Sequence, residues 1–278
     1  MKTAIFGAGT MGIGIAELFA AHGHTVLLYA SSPASAQRHK DNLAKALDRR
    51  IARGKMTEEK KQAILNLILV EEKPSAADAD LIIETVKEDM SVKRELLGEL
   101  DAICKPETVF ATNTSALSIT EMGKGLKHPL IGMHFFFPVP AMRLIEMIRG
   151  ADTPQETVDY VKKLGASLDK EVVEVNEAPG FVVNKLIVPM MNEAIGLVES
   201  GVASVEDIDK AMMCALNHPI GPLTLADASG LDVVLAIMET LYRETADSKY
   251  RPSLLLKKMV RSGRLGKKTG KGFYDYTK

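Results

Sequence analysis

The sequence predicts an α/β protein: a Rossmann-like, doubly wound sheet of mostly parallel strands in the N-terminal part, followed by an all-helical domain. Three observations predict it. The apolar run Thr3-Ala4-Ile5-Phe6 leads straight into G-x-G-x-x-G, Gly7-Ala8-Gly9-Thr10-Met11-Gly12. Strand and helix patterns then alternate as far as Val175, the mark of βαβ units. Beyond Pro179 strand signals stop and helical periodicities take over. The expected domains are therefore a dinucleotide-binding unit over 1–178 and a helical substrate and dimerisation unit over 179–278.

Each element has its own signal. Ile13, Ala16, Leu18, Phe19 and Ala20 give the first helix an apolar face, and Thr25 to Tyr29 reads as the second strand. Pro33 to Arg53 predicts a long polar helix, and Thr57-Glu58-Glu59 caps another, with Ala63, Ile64, Leu67 and Ile68 apolar. Leu81-Ile82-Ile83 is a short buried strand, and Val92, Leu96, Leu100 and Ile103 recur at helical spacing. Val109 to Ala111, Leu130 to Met133, Arg143 to Ile148 and Glu171 to Val175 complete the strands. Ser118-Ile119-Thr120-Glu121 and Thr153-Pro154-Gln155-Glu156 both have the form of a capping box. In the second domain Phe181 to Glu199, Ser204 to Leu216, Leu231 to Arg243 and Ser253 to Arg261 are helical by periodicity.

The glycine motif, with a strand before it and a helix after it, reads as a dinucleotide site. Gly7 permits the tight turn, Gly9 lets the backbone approach a pyrophosphate, and Gly12 allows the helix to pack closely on the sheet. The first amides of the helix, around Thr10 and Met11, point at the phosphates, where the helix dipole favours negative charge. A carboxylate that would hold the ribose 2′-hydroxyl of NAD is expected about 20 residues on. The chain instead has Ala30-Ser31-Ser32. Losing the acid relieves repulsion toward a 2′-phosphate, and Ser31, Ser32 and Arg38 are candidate partners for one. NAD held by a weaker ribose contact and NADP both stay open.

Composition is that of an ordinary soluble chain: 278 residues, 46% hydrophobic, net charge −1. It implies no nucleic-acid partner. No apolar run of membrane-spanning length occurs, and a first strand starting at Lys2 leaves no room for a targeting segment. The expectation is a cytoplasmic protein. Cys104 and Cys214 lack metal-ligand spacing and read as buried free thiols, so no metal is expected. Met190, Met191, Met212, Met213 and Met238 lie on the helices of the second domain. Core or subunit packing suits them better than an acyl-binding surface, and the faces around Met190, Met212 and Met238 predict a homodimer.

Candidate chemistry lies at His134, which ends a strand and precedes Phe135-Phe136-Phe137-Pro138. Ligands bind at the carboxyl edge of such sheets. Glu146 falls twelve residues later in the next apolar run, and a return connection would bring its carboxylate to the imidazole, giving a general base with an orienting partner. Arg49 and Arg53, four apart on one helix face with Arg50 and Lys55 beside them, either bind phosphate or form a solvated surface.

Five separated motifs carry a family resemblance. They are the glycine motif extended through Ile13-Gly14-Ile15-Ala16, then Ala111-Thr112-Asn113-Thr114-Ser115, Gly132-Met133-His134-Phe135-Phe136, Ala178-Pro179-Gly180-Phe181-Val182-Val183-Asn184, and Asn217-His218-Pro219-Ile220-Gly221-Pro222. Together they resemble the L-3-hydroxyacyl-CoA dehydrogenases over essentially the whole chain. The length and the ending Gly270-Lys271-Gly272-Phe273-Tyr274-Asp275-Tyr276 are most similar to the short bacterial 3-hydroxybutyryl-CoA dehydrogenases. The resemblance implies hydride transfer between NAD(P) and a short-chain (S)-3-hydroxyacyl-CoA. His134 would act as base with Glu146 fixing its tautomer, while Ser115 and Asn184 would hold the substrate's oxygens. It assigns Glu88, Lys93 and Asn113 to the cofactor, and gives Arg49 and Arg53 the phosphates of CoA as a ligand.

The chain departs from the family pattern at several positions. Ala30 stands where Asp is usual, Ala116 where a second Ser is usual, Phe137 in place of Asn, and Arg264 where Trp is common. Phe137, beside the histidine, is expected to dry the pocket. A dehydrogenase of a free hydroxy acid would leave Arg49 and Arg53 without a ligand, and a silent nucleotide-binding protein would need none of His134, Glu146, Ser115 and Asn184.

Overall fold

Four short runs rich in Ile, Leu and Val open the chain's first half and pair as parallel strands. They are β1 (Lys2–Phe6), β2 (Thr25–Tyr29), β3 (Ile68–Val70) and β4 (Leu81–Glu84). Four more, β5 (Val109–Thr112), β6 (Leu130–Phe135), β7 (Leu144–Arg149) and β8 (Glu171–Asn176), extend the sheet to the order β3-β2-β1-β4-β5-β6-β7-β8. The first six follow the strand order of dinucleotide-binding sheets, with the topological switch between β1 and β4. β7 runs antiparallel to β6, and β8 is parallel to β7. The computed structural model describes residues 1–277, in two compact units, 1–177 and 178 onward.

Helices α1 (Thr10–Ala21), α2 (Pro33–Ala52) and α3 (Glu58–Leu67) pack around β1 to β3. They are followed by α4 (Met90–Ile103), α5 (Ile119–Gly123) and α6 (Gln155–Ser167). Their starts follow cap chemistry: Ser32, Thr57, Asp89 and Ser118 each accept a first-turn amide, which satisfies donors that the helix leaves orphaned. Ile5, Ile15, Phe19, Leu28 and Ile83 form the centre of the core, all without solvent exposure.

Three local expectations change. Thr153 is not a cap: Pro154 takes that position, and the Thr153 hydroxyl donates to the Leu130 carbonyl at 2.7 Å, tying the helix start to β6. Ile68 belongs to β3 rather than to α3, because pairing with Val26 buries it. On α4 the buried residues are Lys93, Leu97, Leu100 and Asp101, whereas Val92 and Ile103 are exposed. A buried lysine is the unexpected member, and it rotates the inward face.

The second unit holds α7 (Val183–Glu199), α8 (Val205–Leu216), α9 (Pro222–Ser229), α10 (Leu231–Thr245) and α11 (Leu254–Arg261). Short α9, opened by Gly221-Pro222, was not evident from periodicity. Met191, Ile195, Leu223, Leu231, Met238 and Leu241 build its core. Met238 is therefore packing material inside the unit and is not available to a subunit face. The tail after Gly270 is pinned to α9 by the buried Asp227, which accepts the amides of Phe273 and Tyr274, each at 3.0 Å, and the Tyr276 hydroxyl at 3.1 Å. A Cβ on Gly272 would lie 2.0 Å from the Asp227 carboxylate, so only glycine lets the tail approach. Cys104 is half-buried, and burial pushes its thiol up to about 11. Cys214 is exposed, contrary to expectation, because α8 buries only Ile208 and Asp209.

Candidate active site

The switch point builds a cradle from backbone. Gly7 turns out of β1 at φ +113°, and a Cβ there would strike the Thr85 carbonyl at 2.5 Å. At Gly12 a Cβ would come within 1.7 Å of the Gly7 carbonyl. Around Gly9 nothing lies within 4 Å of where a Cβ would stand. Two glycines thus serve internal packing and the third leaves open space for a ligand, the division of labour a pyrophosphate requires. No side chain caps α1, so the amides of Thr10 and Met11 at its start have no side-chain acceptor, an arrangement suited to an anion. Thr85, missed at the sequence level, donates from Oγ1 to the Gly7 carbonyl at 2.7 Å and clamps the loop. Its only signal is its place just after β4, beside the switch.

Beside this loop lies a cavity of about 810 Å³. Gly7 to Gly9, Ala30, Ser31 and Thr85 are in its wall, together with Val92 and Leu96 of α4. The two apolar side chains thus face a cavity instead of the core. The residues present fit a dinucleotide: a glycine cradle, an uncapped helix start, and a cavity at the carboxyl edge with an apolar wall for a base.

His134 and Glu146 are direct partners in the antiparallel register of β6 and β7. His134 Nδ1 lies 2.7 Å from Glu146 Oε2, with side-chain exposures of 8% and 1%. The Phe136 ring packs on the imidazole at 4.5 Å between centroids. Phe137, by contrast, is 66% exposed, so drying of the imidazole falls to its neighbour. Asn113, just past β5, accepts the Phe135 amide at 2.9 Å and ties the two strand ends together.

A second polar network supports Ser115. Glu88 Oε1 accepts the Ser115 amide at 2.9 Å, the Thr114 hydroxyl at 2.5 Å, and the Ser115 hydroxyl at 3.3 Å. Lys93 lies 3.2 Å from the other Glu88 oxygen and 2.8 and 2.9 Å from the two oxygens of Glu84. Burial opposes ionisation of Glu88, but the Lys93 charge and the donors from Thr114 and Ser115 outweigh it and hold the carboxyl below its usual range. For Glu84, burial dominates and pushes the carboxyl up despite Lys93. Lys93 and Glu88, placed at the cofactor by resemblance, thus form part of a framework around Ser115, to which Glu84 is an addition.

Asn184 stands in the first turn of α7, after a turn in which Gly180 and Phe181 both have positive φ. Arg49 and Arg53 are exposed at the end of α2, whereas Arg50 is engaged by Glu17. No helix is long and apolar enough to cross a membrane, and no group of residues suits a metal, among the described residues.

Residues 2–178 match the family described as 3-hydroxyacyl-CoA dehydrogenase, NAD binding domain, and residues 180–276 match the 3-hydroxyacyl-CoA dehydrogenase C-terminal domain. The chain is similar to a 3-hydroxybutyryl-CoA dehydrogenase of Clostridioides difficile, 48% identical with both proteins fully covered. One of Bradyrhizobium diazoefficiens is 45% identical, covering 99% of this chain and 95% of that one. The crystal structure of an (S)-3-hydroxybutyryl-CoA dehydrogenase from Ralstonia eutropha superposes with a TM-score of 0.94 at 43% identity, covering 100% and 99% of the two chains.

Proposed function

The chain belongs to the 3-hydroxyacyl-CoA dehydrogenase family, and from that premise we propose that it interconverts a short-chain (S)-3-hydroxyacyl-CoA, with 3-hydroxybutyryl-CoA the best candidate, and the 3-oxoacyl-CoA, using NAD(H). The observation that carries the reading is the buried His134–Glu146 pair at the carboxyl end of β6. With Nδ1 donating to Glu146, the Nε2 lone pair is the base that takes the C3 hydroxyl proton. Glu146 then stabilises the imidazolium. The nicotinamide supplies the hydride acceptor, or the donor in the reverse direction. Oxidation removes a hydride from C3 and a proton from its oxygen, so the charge developing on that oxygen needs donors; Ser115 and Asn184 fill that role.

The glycine loop with Thr10 and Met11 would hold the pyrophosphate, and Ala30 and Ser31 would border the adenosine ribose. Asn113, Glu88 and Lys93 would shape the nicotinamide end. Arg49 and Arg53, both exposed and unhindered by the ion pair that ties Arg50, would meet phosphates of CoA. We further propose a homodimer through the helical unit. Leu186, Leu254 and Val202 are at least two-thirds exposed there, and apolar side chains left outside a core favour subunit contact. Light scattering at micromolar concentration tests the dimer.

Acetoacetyl-CoA with NADH tests the reaction. Loss of NADH absorbance dependent on the CoA ester is expected, and no turnover with that ester or with other short 3-oxoacyl-CoA esters would overturn the reading.

A further inference from the structure

The acid missing from the end of β2 has a counterpart on the next strand. In the parallel register Leu28 pairs with Val70, and the Glu71 amide continues the ladder to the Leu28 carbonyl at 3.3 Å. Two residues past the last pair, the chain therefore runs Glu71 and Glu72 abreast of Tyr29 and Ala30. Both glutamates line the cavity that Ala30 and Ser31 share with the glycine loop. The Tyr29 phenol lies in the same corner, pushed up to about 12 mainly by burial, against its bond to Ser75, with the Glu71 charge adding to the rise.

The cavity wall as a whole discourages a further anion. It carries the carboxylates of Glu71, Glu72, Glu95 and Glu99, against the ammonium groups of Lys73 and Lys87 and the imidazole of His39. Lys73 and Glu99 are paired and offset each other, which leaves Glu71, Glu72 and Glu95 against Lys87 and His39. Arg38, the guanidinium nearest in sequence, is not in the wall, and its Nη2 donates to Ser35 at 3.0 Å.

We propose that Glu71 and Glu72 determine cofactor specificity in this chain: the edge strand returns the carboxylates that β2 lacks, where they accept a hydrogen bond from the adenosine ribose and repel a 2′-phosphate. NAD(H) is then selected over NADP(H) although Ala30 carries no charge. The inference rests on the dehydrogenase reading above, and deepens it by naming what recognises the ribose. Glu71 and Glu72 do not touch the reacting atoms, so their effect falls on binding.

Direct titration of NADH and NADPH by fluorescence, at low salt and without substrate, tests it on the unaltered protein, Glu71→Gln, Glu72→Gln and the double variant. Thermal melts of each report the fold, and acetoacetyl-CoA turnover is measured in parallel. The unaltered protein is expected to bind NADH at least about tenfold more tightly than NADPH, and the double variant to narrow that ratio by about tenfold, chiefly through tighter NADPH. An unchanged ratio in a double variant that melts normally and still binds NADH would overturn the proposal while leaving the dehydrogenase reading intact. Equal affinity for both cofactors in the unaltered protein would do the same. Failure of the unaltered protein to bind either cofactor would overturn both together.

Discussion

Lys93 of α4 and Glu84 of β4 form an ion pair with side-chain exposures of 1% and 0%. Thr112 and the Val86 amide also donate to the Glu84 carboxylate, at 2.6 and 2.5 Å. The pair fastens α4 to the centre of the sheet and, through Glu88, reaches Ser115. Charges this deep are tolerable only in company: removing Lys93 leaves the Glu84 carboxylate without its cation in a medium of low polarity, whereas removing Glu84 still leaves Lys93 beside Glu88. Lys93→Met is expected to lower stability by about 3–5 kcal/mol. Adding Glu84→Gln should restore part of the loss, and denaturant titrations of both single variants and the double variant would measure the coupling. Strict additivity would show that the charges do not interact.

The catalytic proposal makes a separable demand. His134→Ala should reduce kcat by about 10²-fold or more while the affinity for NADH stays within a few-fold, because the imidazole is not part of the glycine loop. Glu146→Gln should also lower kcat, since an amide neither fixes the donor tautomer as well nor stabilises the imidazolium. Near-normal turnover in the histidine variant would remove it from the mechanism.

Gly9 and Gly12 are predicted to respond oppositely to the same added methyl. Gly9→Ala meets empty space at φ −64°, so its melting should be nearly unchanged, while NADH affinity falls at least about tenfold, about 1.4 kcal/mol. Gly12→Ala collides with the Gly7 carbonyl and should destabilise the first unit itself. Calorimetry alongside cofactor titration separates the two outcomes.

Asp227→Ala removes the acceptor of two tail amides and a tyrosine hydroxyl. A loss of about 2–3 kcal/mol is expected from the donors left without a partner, with faster proteolysis after Gly270. Digestion at the same rate as in the unaltered protein would show that the tail is held by other contacts.

Acid should act partly through Asp101. Burial alone would raise its carboxyl, but the amides of His128 and Lys127 and the His128 ring outweigh this and depress it. A depressed carboxyl adds stability that is complete above the ordinary unfolded value, about 3.9, and is lost as pH falls through the lower folded value. Asp101→Asn should therefore flatten the dependence of stability on pH below about pH 4, measured by urea titration at several acid pH values.

The glycine loop, the strand alternation and the change to helices near residue 179 were legible because each is local: a φ requirement, a period of two, a period of 3.6. The pair of His134 and Glu146 was legible as two suitable groups that a return connection could join, but the register that sets them directly opposite each other comes from long-range pairing of β6 with β7, which no local signal announces. Val92 and Leu96 misled because an apolar side chain facing a ligand cavity has the same spacing as one facing a core. Lys93, polar by type, joins Leu97 and the expected Leu100 on the inward face of α4. Thr153 had the right residue type for a cap, yet a carbonyl on β6 competed for its hydroxyl. Glu71 and Glu72 were silent for a related reason, since their placement depends on which strand lies beside β2.

The reversed strand makes the acid of the pair a matter of parity. Side chains along β7 alternate between the two faces, so a carboxylate at position 144 or 148 would still emerge on the histidine's side of the sheet, whereas one at 145 or 147 would emerge on the other. Moving the whole strand by a single residue would exchange the faces of Glu146 and Met147 and leave a charge in the core. What has to be preserved is therefore the register of β7 against β6 and not the length of the connection 136–143, which can take up an added residue as loop. Any shuffling of this segment into another sheet must count residues along the ladder before it considers their chemistry.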